Sequence, residues 1–110
     1  MEKAKHDRLK NAGWTVGTTA EFLGLTEEEA ALIEMKLALA HSLREHRGAQ
    51  HLTQAQLAKM LGSSQSRVAK MEAADPSVSM ELLVRSLLML GATRKEVGRV
   101  IARDSTTPAA

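Results

Sequence analysis

The chain has 110 residues with a formal net charge of +2, and 44% of them are apolar, which suits one compact domain with a modest core. It contains no cysteine, which excludes disulfides, thiolate metal ligands and cysteine nucleophiles. Aromatic residues make up 2% of the chain, so we expect a core of aliphatic and methionine side chains. No stretch has the length and apolar character of a membrane span or signal segment, so we expect a soluble, cytoplasmic protein.

Three regions follow from the polarity pattern. Residues 1–25 are predicted to be an N-terminal arm, with a short helical turn around Ala20–Leu23 capped by Thr18 or Thr19. Residues 26–103 are predicted to form one helical domain. Residues 104–110, DSTTPAA, are predicted to be a disordered tail.

The first strong helix is predicted to begin after Thr26 and to end near His46. Thr26 and Glu29 form a capping-box pattern, and the acidic residues there favour the positive end of the helix dipole. The apolar residues of this helix form two stripes, which together cover more of its circumference than one core needs. Either part of this surface contacts a partner chain, or the N-terminal arm around Trp14 and Phe22 folds back over it.

Four shorter helices are predicted after the first one. Thr53 caps a helix that Gly62 ends, as glycine does at helix C-termini, and Ser64 caps a third helix from Gln65 to about Ala73. The fourth and fifth are predicted to lie between residues 79 and 91 and between residues 93 and 102. No alternation typical of strands is present. The predicted fold class is all-α, with five principal helices.

The third predicted helix has a polar outer face. If Val68 and Met71 point into the core, the helical period turns the other side chains outward. The residues on that outer face are Gln65, Ser66, Ala69, Lys70 and Ala73, with Arg67 at its flank. Glutamine, serine and lysine can form hydrogen bonds with base edges, and an alanine methyl group can contact a thymine methyl group. A short helix, a glycine turn and such a second helix predict a helix-turn-helix that enters the major groove of DNA.

The stretch LTQAQLAKMLGSSQSRVAKME, with Arg47 ahead of it, resembles the Cro/repressor-type helix-turn-helix family, also called the XRE family. The resemblance extends over roughly residues 36–91 and implies a repressor-like all-α domain. It implies a phosphate contact for Gln54 and a structural salt bridge between Arg47 and Glu72. The predicted DNA-binding residues are Gln54, Ser64, Gln65, Ser66, Arg67, Ala69 and Lys70.

Two features depart from the family pattern. Members commonly have glycine soon after the position of Glu72, whereas Ala73 and Ala74 follow here, which favours a longer third helix. The next loop, DPSVS, lacks the lysine and arginine that often contact phosphate there. We therefore expect modest affinity for DNA, unless Lys59, Arg67 and the basic fifth helix compensate.

The predicted function is that of a transcriptional regulator, most simply a repressor, which binds double-stranded operator DNA as a homodimer. The alternative is an antitoxin that neutralises a toxin protein and regulates its own operon, because TVGTTAEFLGLTEEE ahead of the motif is similar to antitoxins of the host-inhibition-of-growth type. No catalytic constellation is present, so neither enzymatic activity nor a cofactor is predicted. His41, His46 and His51 do not share a helical face, so no metal site is predicted.

Overall fold

The computed structural model describes residues 24–103, and all regular elements in this range are α-helices. These helices are α1 (Glu27–Ala49), α2 (Gln54–Leu61), α3 (Gln65–Glu72), α4 (Met80–Met89) and α5 (Arg94–Ala102). The predicted all-α fold with five principal helices is therefore confirmed. The turn predicted around Ala20–Leu23 and the tail predicted at residues 104–110 lie outside the described residues.

The chain divides into two compact units, whose described parts are residues 24–34 and residues 35–103. The first part contains the start of α1. The backbone N–H of Thr26 donates to Oε1 of Glu29 at 2.9 Å, and the N–H of Glu29 donates to Oγ1 of Thr26 at 3.1 Å. This reciprocal pair is the predicted capping box, which satisfies two donors at the helix start. Leu32 and Ile33 of the same segment are exposed.

The second part, residues 35–103, contains one hydrophobic core to which all five helices contribute. Its largest fully buried apolar side chains, in chain order, are Leu39, Leu43, Leu57, Val68, Met71, Val78, Leu83 and Leu87. Most of them recur at intervals of three or four residues, the spacing that places side chains on one face of a helix. Within residues 24–103, no helix combines the length and the apolar character needed to cross a membrane.

Helices α1 to α4 are each followed, within two residues, by a residue with left-handed backbone geometry. These residues are His51, Gly62, Ala74 and Gly91. At the end of α3, the N–H of Ala74 donates to the carbonyl of Met71 at 3.2 Å, and the N–H of Asp75 donates to the carbonyl of Lys70 at 3.0 Å. This pair of bonds is the Schellman motif, which satisfies carbonyl groups that the helix end leaves without partners.

The expected lengthening of the third helix is wrong, because α3 ends at Glu72 and Ala73 is its C-cap. Ala74 adopts a φ of +53° although it is not glycine. Its side chain packs against the hydrophobic core, and this contact offsets part of the cost of the left-handed conformation. Helix α1, in turn, continues to Ala49, three residues beyond its predicted end.

His51 provides a test of these helix ends, because its side chain is exposed while its φ is +58°. We expect His51→Gly to raise the free energy of unfolding by about 0.5 kcal/mol. Glycine adopts this conformation without steric cost, and this gain exceeds the cost of the extra entropy that glycine gives the unfolded chain. His51→Ala keeps the Cβ atom and should bring no gain. Urea denaturation of both variants measures the difference, and an equal gain in both would contradict the explanation.

Candidate nucleic-acid interface

Helix α2 has a capping box at its start and a left-handed glycine at its end. The N–H of Thr53 donates to Oε1 of Gln56 at 2.8 Å, and the N–H of Gln56 donates to Oγ1 of Thr53 at 3.1 Å. At the other end Gly62 has a φ of +66°, which lets the chain turn within two residues toward Ser64. The predicted caps at both ends of α2 are confirmed.

Ser64 is the N-cap of α3, and its hydroxyl accepts a hydrogen bond from the N–H of Arg67 at 3.2 Å. Val68 and Met71 are buried in the core, and α2 packs against α3. Burial of these two side chains fixes the rotation of α3 about its own axis. The side chains that this rotation leaves exposed are those of Gln65, Ser66, Arg67 and Lys70, while Ala69 is half-buried. No acidic residue lies between Gln65 and Met71 on this helix.

Arg47 and Glu72 form an ion pair between α1 and the last residue of α3. Nε of Arg47 donates to Oε2 of Glu72 at 2.5 Å, and Nη2 donates to Oε1 at 3.1 Å. A third bond runs from Nη1 to the carbonyl of Leu52 at 2.8 Å. The side chains are 18% and 5% exposed, respectively. The hydrogen bonds to Glu72 raise the pKa of Arg47 above its ordinary value, since they favour the charged guanidinium.

Gln54, at the first position of α2, is half-buried and contacts the same carboxylate. Its Nε2 donates to Oε1 of Glu72 at 3.1 Å. Glu72 therefore joins α1, the start of α2 and the end of α3. The amide of Gln54 keeps a second N–H, and an amide N–H is the group that donates to a phosphate oxygen. The structure thus places the predicted phosphate contact beside the predicted salt bridge, a proximity that the sequence did not indicate.

The loop after α3 begins at Asp75, two oxygen atoms of which accept three hydrogen bonds. Its Oδ1 accepts hydrogen bonds from the N–H of Ser77 at 2.9 Å and from the hydroxyl of Ser77 at 2.7 Å. These bonds lower the pKa of Asp75 below its ordinary value, because they favour the carboxylate. Its carbonyl oxygen accepts a hydrogen bond from Nζ of Lys36 at 2.8 Å. Sequence analysis did not identify Lys36, because a lysine on an amphipathic helix carries no signal of a distant partner.

Helices α2, α3 and α5 each carry exposed basic side chains. Lys59 of α2 is exposed, as are Arg67 and Lys70 of α3. The exposed cations of α5 are Arg94, Lys95 and Arg99. Cations of this kind are the groups that contact DNA phosphates.

His41 and His46 contact different carboxylates. His41 pairs with Glu45 at 3.4 Å, and Nε2 of His46 lies 3.6 Å from Oε2 of Glu96. Within residues 24–103 no group of three or more histidine and carboxylate side chains is arranged to hold a metal ion.

The short helices α2 and α3, joined by the turn at Gly62 and followed by an exposed polar face, define a helix-turn-helix domain. The profile of the helix-turn-helix family matches residues 43–97, which is half of the chain. The chain therefore belongs to the helix-turn-helix family of the Cro/XRE type, a family of DNA-binding transcriptional regulators. No curated protein and no solved structure matches the sequence significantly.

Proposed function

We propose that the protein is a sequence-specific repressor that acts in the cytoplasm and binds operator DNA as a homodimer, without catalysis. The observation that carries the proposal is the outer face of α3, where hydrogen-bonding and cationic side chains project into solvent from a helix whose rotation is fixed by the core. Such a helix fits the major groove, which displays a distinct pattern of donors and acceptors for each base pair.

Each side chain on this face has a contact suited to its chemistry. Gln65 can form two hydrogen bonds with adenine, and Lys70, about one and a half turns further along the helix, can donate to guanine. Ser66 is exposed and donates or accepts with any base pair, while the half-buried Ala69 lets the groove floor approach the helix. Arg67, at the flank of the face, would contact a DNA phosphate.

A second group of contacts would lie at the N-termini of the two motif helices. Backbone N–H groups at such a terminus point outward and favour an anion. Gln54 and Ser64 stand at these positions in α2 and α3. Since phosphate contacts fix the register of a protein on DNA, these two residues would position α3 rather than select the sequence.

A homodimer is part of the proposal because one helix of eight residues reads few base pairs. Two copies related by a two-fold axis place their recognition helices in successive major grooves, about 34 Å apart. Selection of bound duplexes from a random pool tests both features. A selected site with two inverted half-sites one turn apart is the expected result, whereas the absence of any preferred sequence would refute the proposal.

We expect Gln65→Ala to relax the preference at one position of each half-site, with a loss of about 1–3 kcal/mol of discrimination there. The variant loses base contacts but no phosphate contact. Affinity for the selected duplex and for its single-base variants, measured by fluorescence anisotropy, gives the discrimination at each position. An unchanged preference at all positions would contradict base reading by Gln65.

Arg67→Ala is the matched comparison on the same helix. It should weaken binding to all sequences alike and reduce the slope of log affinity against log salt concentration by about one for each subunit. A change of sequence preference in Arg67→Ala would indicate that Arg67 contacts a base and not a phosphate.

A second candidate function is that of an antitoxin, which one feature of the first unit supports. The acidic first turn of α1, Glu27, Glu28 and Glu29, is exposed, and Leu32 and Ile33 next to it are exposed as well. This combination suits contact with a basic protein that has an apolar face. Co-expression with any short basic protein encoded beside this gene, followed by purification through one partner, tests it, and recovery of this chain alone would count against it.

A further inference from the structure

The C-terminal end of α3 is joined to α1 at two points. One is the ion pair between Arg47 and Glu72. The other is the hydrogen bond from Nζ of Lys36 to the carbonyl of Asp75, at 2.8 Å. Lys36 and Arg47 lie about three turns apart on nearly the same face of α1. The two side chains therefore approach the end of α3 from different positions along α1.

Asp75 is the residue through which Lys36 acts on the helix. Its N–H donates to the carbonyl of Lys70 and thereby completes the Schellman motif of α3. The carbonyl of the same residue accepts a hydrogen bond from Lys36, and its carboxylate accepts from Ser77. Lys36 is half-buried, and its ammonium lies near the C-terminal end of α3, where the helix dipole favours a cation.

We propose that Lys36 is a positioning residue for the recognition helix: it holds the end of α3 and so sets the tilt at which the outer face of α3 meets DNA. The inference rests on the proposed base reading by this face. Lys70, in the last turn of α3, is the base-reading candidate nearest to the anchored end. Hydrogen bonds to bases tolerate only a few tenths of an ångström, so a small movement of this end removes them.

The test compares Lys36→Met with Lys36→Arg in the full chain. Methionine keeps an unbranched apolar stem and loses the donor, whereas arginine keeps the charge and the donor groups. The probes are a duplex selected from the random pool and a scrambled duplex of the same length, at one salt concentration. We expect Lys36→Met to lose about tenfold in affinity for the selected duplex and less than about twofold for the scrambled one. Lys36→Arg should retain most of the wild-type affinity for the selected duplex.

Lys95→Met is the matched control, because it removes the same charge from an exposed site on α5. It should leave the ratio of the two affinities unchanged. An equal loss for both duplexes in Lys36→Met would indicate a lost charge rather than a displaced helix and would overturn the proposal. If Lys36→Met does not fold, Lys36→Gln, which is too short to reach the carbonyl, replaces it with the same expected ratio.

Hydrogen exchange at the amides of Ala74 and Asp75 tests the positioning without DNA. We expect exchange about tenfold faster in Lys36→Met than in the wild type or in Lys36→Arg, because the end of α3 opens more often. Faster exchange together with a wild-type protein that selects no sequence would refute the proposed function and leave the anchoring intact. Unchanged exchange would overturn the anchoring itself.

Discussion

Glu72→Ala should lower the free energy of unfolding by about 3 kcal/mol, which would be the largest loss among single polar-to-alanine substitutions in the described chain. The carboxylate accepts two hydrogen bonds from Arg47 and one from Gln54, and its side chain is only 5% exposed. Its removal leaves the guanidinium, 18% exposed, with only the carbonyl of Leu52 as a partner. An incompletely paired charge at such a site costs more than the pair itself contributes.

Urea denaturation monitored by circular dichroism measures this loss, and two comparisons isolate its cause. Glu45→Ala removes a carboxylate from the exposed pair with His41 and should change stability by less than about 0.5 kcal/mol. The double variant Arg47→Met, Glu72→Met should recover much of the loss, because neither charge remains to be buried. A Glu72→Ala variant that unfolds at the wild-type urea concentration would show that the pair is not buried in solution.

The starts of helices are the part of this fold that the sequence predicted best. Thr26, Thr53, Ser64, Ser79 and Thr93 each accept a hydrogen bond from a backbone N–H three residues later. A cap of this kind depends on residues within one turn of each other, so the signal is complete in the local sequence. The outward rotation of α3 was predictable for a similar reason, since two buried apolar side chains determine the face opposite them.

The ends of helices were harder to predict where no glycine marks them. Gly62 and Gly91 indicated the ends of α2 and α4, but His51 and Ala74 adopt the same left-handed geometry without that signal. At the end of α1, Leu52 follows the turn and packs against the core, and at the end of α3 Ala74 does so itself. These contacts are tertiary, so a local pattern cannot reveal them.

The pattern of apolar and polar residues did not predict the contacts that long polar side chains make between helices. Gln54 contacts Glu72 across 18 positions of the chain, and Lys36 contacts Asp75 across 39. A helical period states which face a residue is on, but not which distant group a flexible side chain contacts. The salt bridge between Arg47 and Glu72 was expected only because the stretch resembles a known family.

Leu57→Ala should lower the free energy of unfolding by about 3 kcal/mol, a loss comparable to that of Glu72→Ala but with an apolar cause. Leu57 lies in the middle of α2 and is 0% exposed, and α2 packs directly against α3. Truncation removes buried methyl groups and leaves a cavity between the two helices. At a low temperature, where Leu57→Ala remains folded, the looser packing should also weaken the sequence preference of α3, because the core fixes the rotation of this helix.

Met60→Ala is the control on the same helix, because Met60 is 47% exposed and its truncation leaves no cavity in the core. We expect it to change stability by less than about 0.5 kcal/mol. Urea denaturation gives both values, and an equal loss in the two variants would place α2 in an orientation different from the one described. Since Leu57 of α2 and Val68 of α3 share this core, such a result would also contradict the packing that fixes the rotation of α3, on which the proposed reading of DNA depends.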